Sequence, residues 1–360
     1  MTAILAQLLN FIYETGFVTK AMSTITIRML ASALNLSPGT VSKALKDSYE
    51  ISAETKLKVL EMARKLDYVP NPYAGGLRKH KSKTIGIVLP AINDSFFSLA
   101  IEGIESVAQE KGYHVLIYLS HEHYLREAAI LKDFGSGRVD GVLISVACET
   151  KEGGHIRDLI RKNVPVVFFD RVCDDVKTAQ VSTDDFQVGY TATKHLIERN
   201  CARILYLSIS ESLSISQKRM QGYQQALRCY DMPVSPDDTI LCMGDAGQME
   251  NIIRHALSTV KEGDKRPDGI VASVEKLVTP VYLACDSMNL SIPEDVKVIC
   301  FSNMPLAPLL CPALTTITQP AFEIGRTAAT LLFKAIEGKD FDIAKASITL
   351  PSVLMVRAST

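Results

Sequence analysis

Leu36-Ser-Pro-Gly-Thr-Val-Ser-Lys-Ala-Leu-Lys46 decides the fold of the amino-terminal part of the chain. Ser37 reads as a helix cap, its hydroxyl accepting from an otherwise unpaired amide of the first turn. Pro38 follows at the first helical position, where its missing N–H loses nothing. The helix has two unlike faces. Val41 and Leu45 are expected to meet Ala31 and Leu36 in a core, while Thr40, Ser42, Lys43 and Lys46 leave the other face small, polar and basic. So short a helix, with so little to bury, is expected to be pinned from its inner side and to offer its outer side to an anionic surface.

The flanking sequence supports this. A helix is expected over about Ile27–Leu34, with Ala31 and Leu34 inward and Asn35 at a sharp turn, because Asn tolerates positive φ. A third helix begins after Ser52, with Glu54 suited to the positive end of its dipole. Its apolar face is Val59, Met62, Ala63 and Leu66 rather than the row Leu57, Leu60, Arg64, Asp67. Two helices joined by a short turn, the second with a bare polar face, is the helix-turn-helix pattern. Residues 22–66 are therefore expected to form a DNA-binding head, and residues 1–21 an extension without a clear role. In residues 67–82, Asn71 can cap and Pro72 can open a further short helix. Gly75 and Gly76 inside it cost roughly 1 kcal/mol each relative to Ala. This segment is expected to order on a surface that rewards Leu77 and the cations Arg78, Lys79 and Lys81.

Charge is divided along the chain. Its 360 residues carry a formal net charge of −1, yet residues 22–83 hold 11 Lys and Arg against 5 Asp and Glu. That leaves a head of net +6 on a body of net −7, so an anionic partner is expected for the first part only. No apolar run is long enough to span a bilayer. The eight cysteines never lie within four residues of one another, which excludes zinc-ribbon and redox spacings and favours reduced thiols in a cytoplasmic protein.

From residue 83 the pattern becomes strand–helix alternation. Strands are expected at Thr84–Leu89, His114–Leu119, Gly141–Ser145, Val166–Phe169, Ile204–Ser208, Gly269–Ala272 and Val296–Cys300, with helices such as Phe96–Glu110 and Thr191–Glu198 between them. Residues 83–360 exceed one sheet of ordinary size. The expectation is an α/β body of two lobes, each a doubly wound parallel sheet, with a cleft at the strand carboxyl ends.

A series of segments is similar to the LacI/GalR family of bacterial transcription regulators: Thr26–Lys46, Leu66-Asp-Tyr-Val-Pro-Asn-Pro72, Thr84-Ile-Gly-Ile-Val-Leu-Pro90, Arg138-Val-Asp-Gly-Val-Leu-Ile144 and Val166-Val-Phe-Phe-Asp-Arg171. Arg219-Met-Gln-Gly-Tyr223, Leu314-Thr-Thr-Ile-Thr-Gln-Pro320 and Val353-Leu-Met-Val-Arg-Ala-Ser-Thr360 continue it in order. The resemblance implies a repressor-type regulator that binds double-stranded operator DNA as a homodimer, with a two-lobed effector domain like that of periplasmic sugar-binding proteins. It implies DNA contacts from Thr26, Ser37, Pro38, Gly39, Thr40, Ser42 and Lys43 in the head, and from Asn71, Ala74, Leu77 and Arg78 in the hinge. Leu77 matches a leucine that wedges into the minor groove, where closer wrapping offsets the unstacking. Pro38 and Gly39 fall on base-reading positions but cannot form paired side-chain hydrogen bonds, so readout is expected to lean on Thr40, Lys43 and DNA shape. Asp170 and Arg219 match ligand-contacting positions, and Phe96 and Phe97 are candidates to stack on a sugar ring. Glu275 and Ser302 stand where many relatives carry other polar residues, so a familiar sugar contact is replaced.

Competing readings are weaker. A small-molecule binding protein without a DNA role would make residues 22–82 a linker and leave their charge unexplained. His121-Glu-His123 offers too few ligands for a structural metal site, and no metal or other cofactor is expected. No Ser/His/Asp order or phosphate loop points to an enzyme. Asp184-Asp185 reads as a helix start. Phe96 and Phe97 are adjacent, so a helix should send them different ways, at least one into the core.

Overall fold

The computed structural model describes residues 25–68, 81–259, 265–338 and 341–360. The chain divides into two compact units, one through Arg78 and one from Lys79. The extension 1–21 and the expected hinge helix, including Asn71, Ala74, Leu77 and Arg78, lie outside the described residues.

In the first unit three helices, α1 (Ile27–Ala33), α2 (Pro38–Leu45) and α3 (Ala53–Lys65), pack around Leu30, Ala31, Val41, Ala44, Val59 and Ala63. Each starts the same way: the hydroxyls of Thr26, Ser37 and Ser52 accept from the backbone N–H groups of Met29, Thr40 and Thr55. Each also ends the same way. Asn35, Asp47 and Asp67 take φ values of 52°, 53° and 49°. The next residue's N–H then reaches back, Leu36 to Ala31 O, Ser48 to Lys43 O and Tyr68 to Ala63 O, at 2.9, 3.0 and 2.8 Å. These are Schellman closures with Asn or Asp in place of glycine. The apolar row chosen from sequence for α3 is the inner one: Val59 and Ala63 are buried, whereas Leu57 is 62% exposed.

The second unit holds two six-stranded sheets. The first orders its strands β11-β5-β4-β3-β1-β2, all parallel: β1 (Thr84–Leu89), β2 (His114–Leu119), β3 (Gly141–Ile144), β4 (Val166–Phe169), β5 (Ala179–Thr183) and β11 (Ser347–Leu350). The second orders β12-β10-β9-β8-β6-β7: β6 (Ile204–Ser208), β7 (Thr239–Leu241), β8 (Gly269–Ala272), β9 (Lys297–Phe301), β10 (Thr315–Thr318) and β12 (Val353–Met355). Only β12 runs antiparallel to its neighbour. Two sheets with the same winding carry two sets of helices: α4 (Ser95–Glu110), α5 (Tyr124–Asp133), α6 (Gly154–Arg161), then α7 (Asp185–Glu198), α8 (Ser214–Cys229), α9 (Ala246–Ser258) and α10 (Val278–Ser287). A last helix, α11 (Ala321–Glu337), returns from the second sheet to pack on α4 of the first.

The seven strands expected from sequence are present, with β3 ending one residue earlier and β9 shifted by one. Five more, β5, β7, β10, β11 and β12, were not anticipated. They are short or rich in Ser and Thr, so their apolar signal is weak. Helix α7 begins at Asp185, well before Thr191. In each sheet the strand order reverses beside the first strand of the lobe, β1 or β6, so the crevice falls at the strand carboxyl ends. No helix among the described residues is long and apolar enough to cross a membrane.

Candidate functional site

Two surfaces collect the residues singled out from sequence. On the head, Ser37, Pro38, Gly39 and Lys43 are exposed, Thr40 and Ser42 half-buried, and Thr26 exposed at the cap of α1. None of them is spent on the core, which α2 reaches through Val41 and Ala44. The hydroxyls of Ser37 and Thr40 lie 2.8 Å apart, so both hold the first turn of α2. Lys43 forms a surface ion pair with Glu50, an exposed contact that a phosphate could replace at little cost.

On the body, loops at the carboxyl ends of both sheets face each other across a cleft. From the first lobe come Asp94, Phe96 and Phe97 at the start of α4, and Asp170 and Arg171 directly after β4. From the second come Arg219 of α8, Val274 after β8, and Phe301, Ser302 and Asn303 at the end of β9. Gln319, in the crossing that follows β10, completes the wall. These residues enclose an inner space of about 30 Å³. A second space of about 230 Å³ shares Asp94, Phe97, Arg171 and Val274 with it and adds Pro90, Glu122 and Glu275.

The cleft is held by buried charge. Arg219 is 2% exposed and donates from Nε to Asp185 at 2.7 Å and from Nη1 to the Ser273 carbonyl at 2.7 Å. Its guanidinium lies 4.2 Å from the Phe301 ring centre, and its Nη2 is buried without a hydrogen-bond partner. Asp185 is therefore more than the helix-start charge its position suggested. Asp184 caps α7, accepting from the Gln187 N–H, while Asp185 is buried and burial raises its pKa against the pull of Arg219. Asp170 has φ 60° and a pKa pushed up to about 6 by burial, opposed by Arg171 and Arg219. Arg171 donates to both Glu122 oxygens at 2.9 and 3.0 Å, sits 3.8 Å from Asp170, and lies 5.8 Å from the Phe97 ring centre. Asp94 accepts from the Phe96 N–H at 2.9 Å; burial, then the charge of Glu275, raises its pKa.

Phe96 and Phe97 meet edge to face at 5.4 Å, and Phe97 continues to Phe169. Both are buried, which meets the expectation that at least one lies in the core. Both still line the inner space. Glu275 accepts from the N–H and hydroxyl of Ser95 in one lobe and from the Ser302 hydroxyl and Asn303 N–H in the other. Glu122 of the histidine-flanked segment is committed to Arg171, and His123 lies 3.1 Å from Glu149.

The structure thus brings Phe96, Phe97, Asp170, Arg219, Glu275 and Ser302 into one cleft. Sequence reading missed Asp94, Arg171, Phe301 and Gln319. A signal existed for most of them, since they sit in or beside the quoted segments, but their meeting depends on two sheets far apart in sequence. Chemically, aromatic faces beside carboxylates and guanidinium groups suit a small polyhydroxylated molecule.

Comparison with known proteins agrees with this division. Residues 26–71 match the model for bacterial regulatory proteins of the lacI family, and residues 193–360 the model for a periplasmic binding protein-like domain. The chain is similar to catabolite control protein A of Priestia megaterium, 28% identical over 337 residues, covering 93% of this chain and 99% of that one. It is similar in fold to the lac repressor dimer bound to operator and an anti-inducer, with TM-score 0.79 and 21% identity over 94% of this chain and 99% of that one. It is also similar to a LacI family regulator from Enterococcus faecium with bound ribose, with TM-score 0.66 and 27% identity over 77% and 98% of the two chains.

Proposed function

We infer, from the premise that this chain belongs to the lacI family of bacterial regulatory proteins, that it is a dimeric, sequence-specific repressor whose operator affinity is set by a sugar or sugar derivative in the cleft of its body. One observation carries the DNA-binding part: α2 is fixed to the core by Val41 and Ala44 and leaves Ser37, Pro38, Gly39 and Lys43 exposed, with Thr40 and Ser42 half-buried. Small side chains there let the helix approach the floor of a major groove. Lys43, released from Glu50, supplies a cation, and Ser37 and Thr40 supply hydroxyls to phosphate or base edges. Asn71, Ala74, Leu77 and Arg78 take the hinge roles that the family resemblance implies.

The effector part rests on the cleft. Asp170, Arg219 and Ser302 supply the polar contacts for hydroxyl groups, Phe96 and Phe97 supply an apolar wall, and Glu275 lines the adjoining larger space. The protein acts by binding rather than turnover.

The test is a titration of a labelled duplex from the chain's own upstream region against a scrambled duplex, at about 50 and about 200 mM salt. The expected result is at least about 1,000-fold preference for the first duplex. Lys43→Ala is expected to lower the salt slope by about 1. Equal affinity for both duplexes overturns the reading.

A further inference from the structure

Glu275 stands in the short helical turn Glu275–Leu277 that follows β8, on the second lobe. One of its oxygens accepts from Ser95, on the first turn of α4 in the first lobe: the backbone N–H at 3.1 Å and the hydroxyl at 2.7 Å. The other accepts from the Ser302 hydroxyl at 2.7 Å and the Asn303 N–H at 3.1 Å, at the end of β9. A carboxylate accepts only, and here four donors from two lobes converge on its two oxygens. Hydrogen bonds to an ionised acceptor are the strong kind, and the start of the 16-residue α4 favours negative charge.

The consequence shows in the size of the space behind it. The inner chamber of about 30 Å³, which holds Asp170 and Arg219 in its wall, has room for a water or two and not for a sugar ring, whereas the adjoining space of about 230 Å³, which Glu275 lines, does not include those two residues. Two of the residues that line the chamber, Arg219 and Arg171, each keep one buried nitrogen, Nη2 and Nε, without a hydrogen-bond partner. Two direct contacts join the lobes beside the cleft: the Ser212 hydroxyl donates to the Cys148 carbonyl at 3.0 Å, and the Glu275 carboxylate gathers four donors, two from each lobe. We propose that Glu275 is a latch that keeps the cleft closed from within, so that the body is closed before any effector arrives and an effector must displace this bridge to reach Arg219 and Asp170. The proposal rests on the reading of the cleft as the effector site, and it assigns the replaced residue at position 275 a regulatory task rather than a lost sugar contact.

Hydrogen-exchange mass spectrometry on the ligand-free full chain tests it. Glu275→Ala is expected to speed exchange at least ten-fold in peptides covering both Ser95 and Asn303, while peptides from β1 and β8 stay unchanged. Glu275→Gln keeps the volume and one acceptor oxygen but turns an amide N–H toward the other donors, so one of the two ends is expected to accelerate. Unchanged exchange at Ser95 in Glu275→Ala overturns the latch, as does acceleration at Asn303 alone, which would mean the carboxylate orders only its own lobe. If Glu275→Ala also loosens β1 and β8, Glu275→Gln decides, and no acceleration at either end there overturns the proposal. Operator titration of the wild-type chain is independent: failure to bind DNA would sink the proposed function and leave the exchange result standing.

Discussion

Asp170 follows β4 in a left-handed conformation and is buried between Arg171 and the opposite lobe. Burial raises its pKa to about 6 from an ordinary value of 3.8, and the nearby guanidinium groups only partly offset this. An acid whose folded pKa lies above its unfolded one favours the folded state while protonated. That contribution is complete below about pH 4 and is lost as pH rises through about 6. The loss is on the order of 3 kcal/mol. Asp170→Asn removes the titration and keeps a residue that tolerates positive φ. Its melting temperature is expected to gain on the wild type by several degrees between pH 4 and 7. A gap that stays constant across that range in thermal melts would show that Asp170 does not titrate there. At this scale the sequence was readable in part. Asp170 and Arg219 lie in segments that resemble a known family, so they could be named in advance. The partner of Arg219 could not, because Asp185 is 34 residues away and meets it only when α7 packs on α8.

Helix pairs show how the two lobes are built alike. A Cβ on Gly325 of α11 would sit 2.0 Å from the Ala100 carbonyl of α4, and one on Gly103 would sit 2.0 Å from the Phe322 carbonyl. In the second lobe Gly189 of α7 and Gly222 of α8 meet the facing backbone at 2.2 and 2.1 Å. Backbone cannot step aside as a flexible side chain can, so Gly325→Ala forces the two helices apart. The expected cost is about 1–3 kcal/mol, or roughly 2–4 °C in melting temperature for each of these. Gly112→Ala, where a Cβ would meet nothing within 4 Å but the backbone has φ 65°, separates crowding from backbone strain. A Gly325→Ala chain that melts with the wild type would show that the helices are less tightly held than this geometry requires. Elements were legible where one physical signal dominated. The buried parallel strands β1, β3, β4 and β8 are continuous apolar runs, and the caps Ser37 and Ser52 announce their helices. Strands such as β10, Thr-Thr-Ile-Thr, hide because hydroxyls that hydrogen-bond within the fold look polar in sequence.

At the scale of the molecule, the chain changes lobes three times: after β5, after β10 and after β11. The length of the body announced two sheets, but not that β11 and β12, separated by Pro351 and Ser352, end in different ones. Those crossings place Thr183, Gln319 and Asn303 in one hydrogen-bonded line, with Gln319 Nε2 donating to the Thr183 hydroxyl and Asn303 Nδ2 to the Gln319 carbonyl. The crossings are thus part of the cleft wall, and a molecule in the cleft acts on the segments about which the lobes must move. Its influence on DNA binding is then a coupling free energy, and coupling is reciprocal. Suppose a thermal-shift screen of sugars yields a ligand that changes operator affinity by some factor, expected to lie at about 5–150-fold. Calorimetric titration of that ligand into the protein saturated with operator must then show its own dissociation constant changed by the same factor and in the same sense. A ligand that moved operator affinity 30-fold while its own affinity ignored the operator would be acting outside a binding linkage, through aggregation or contact with the DNA, and the cleft would lose its standing as the control point.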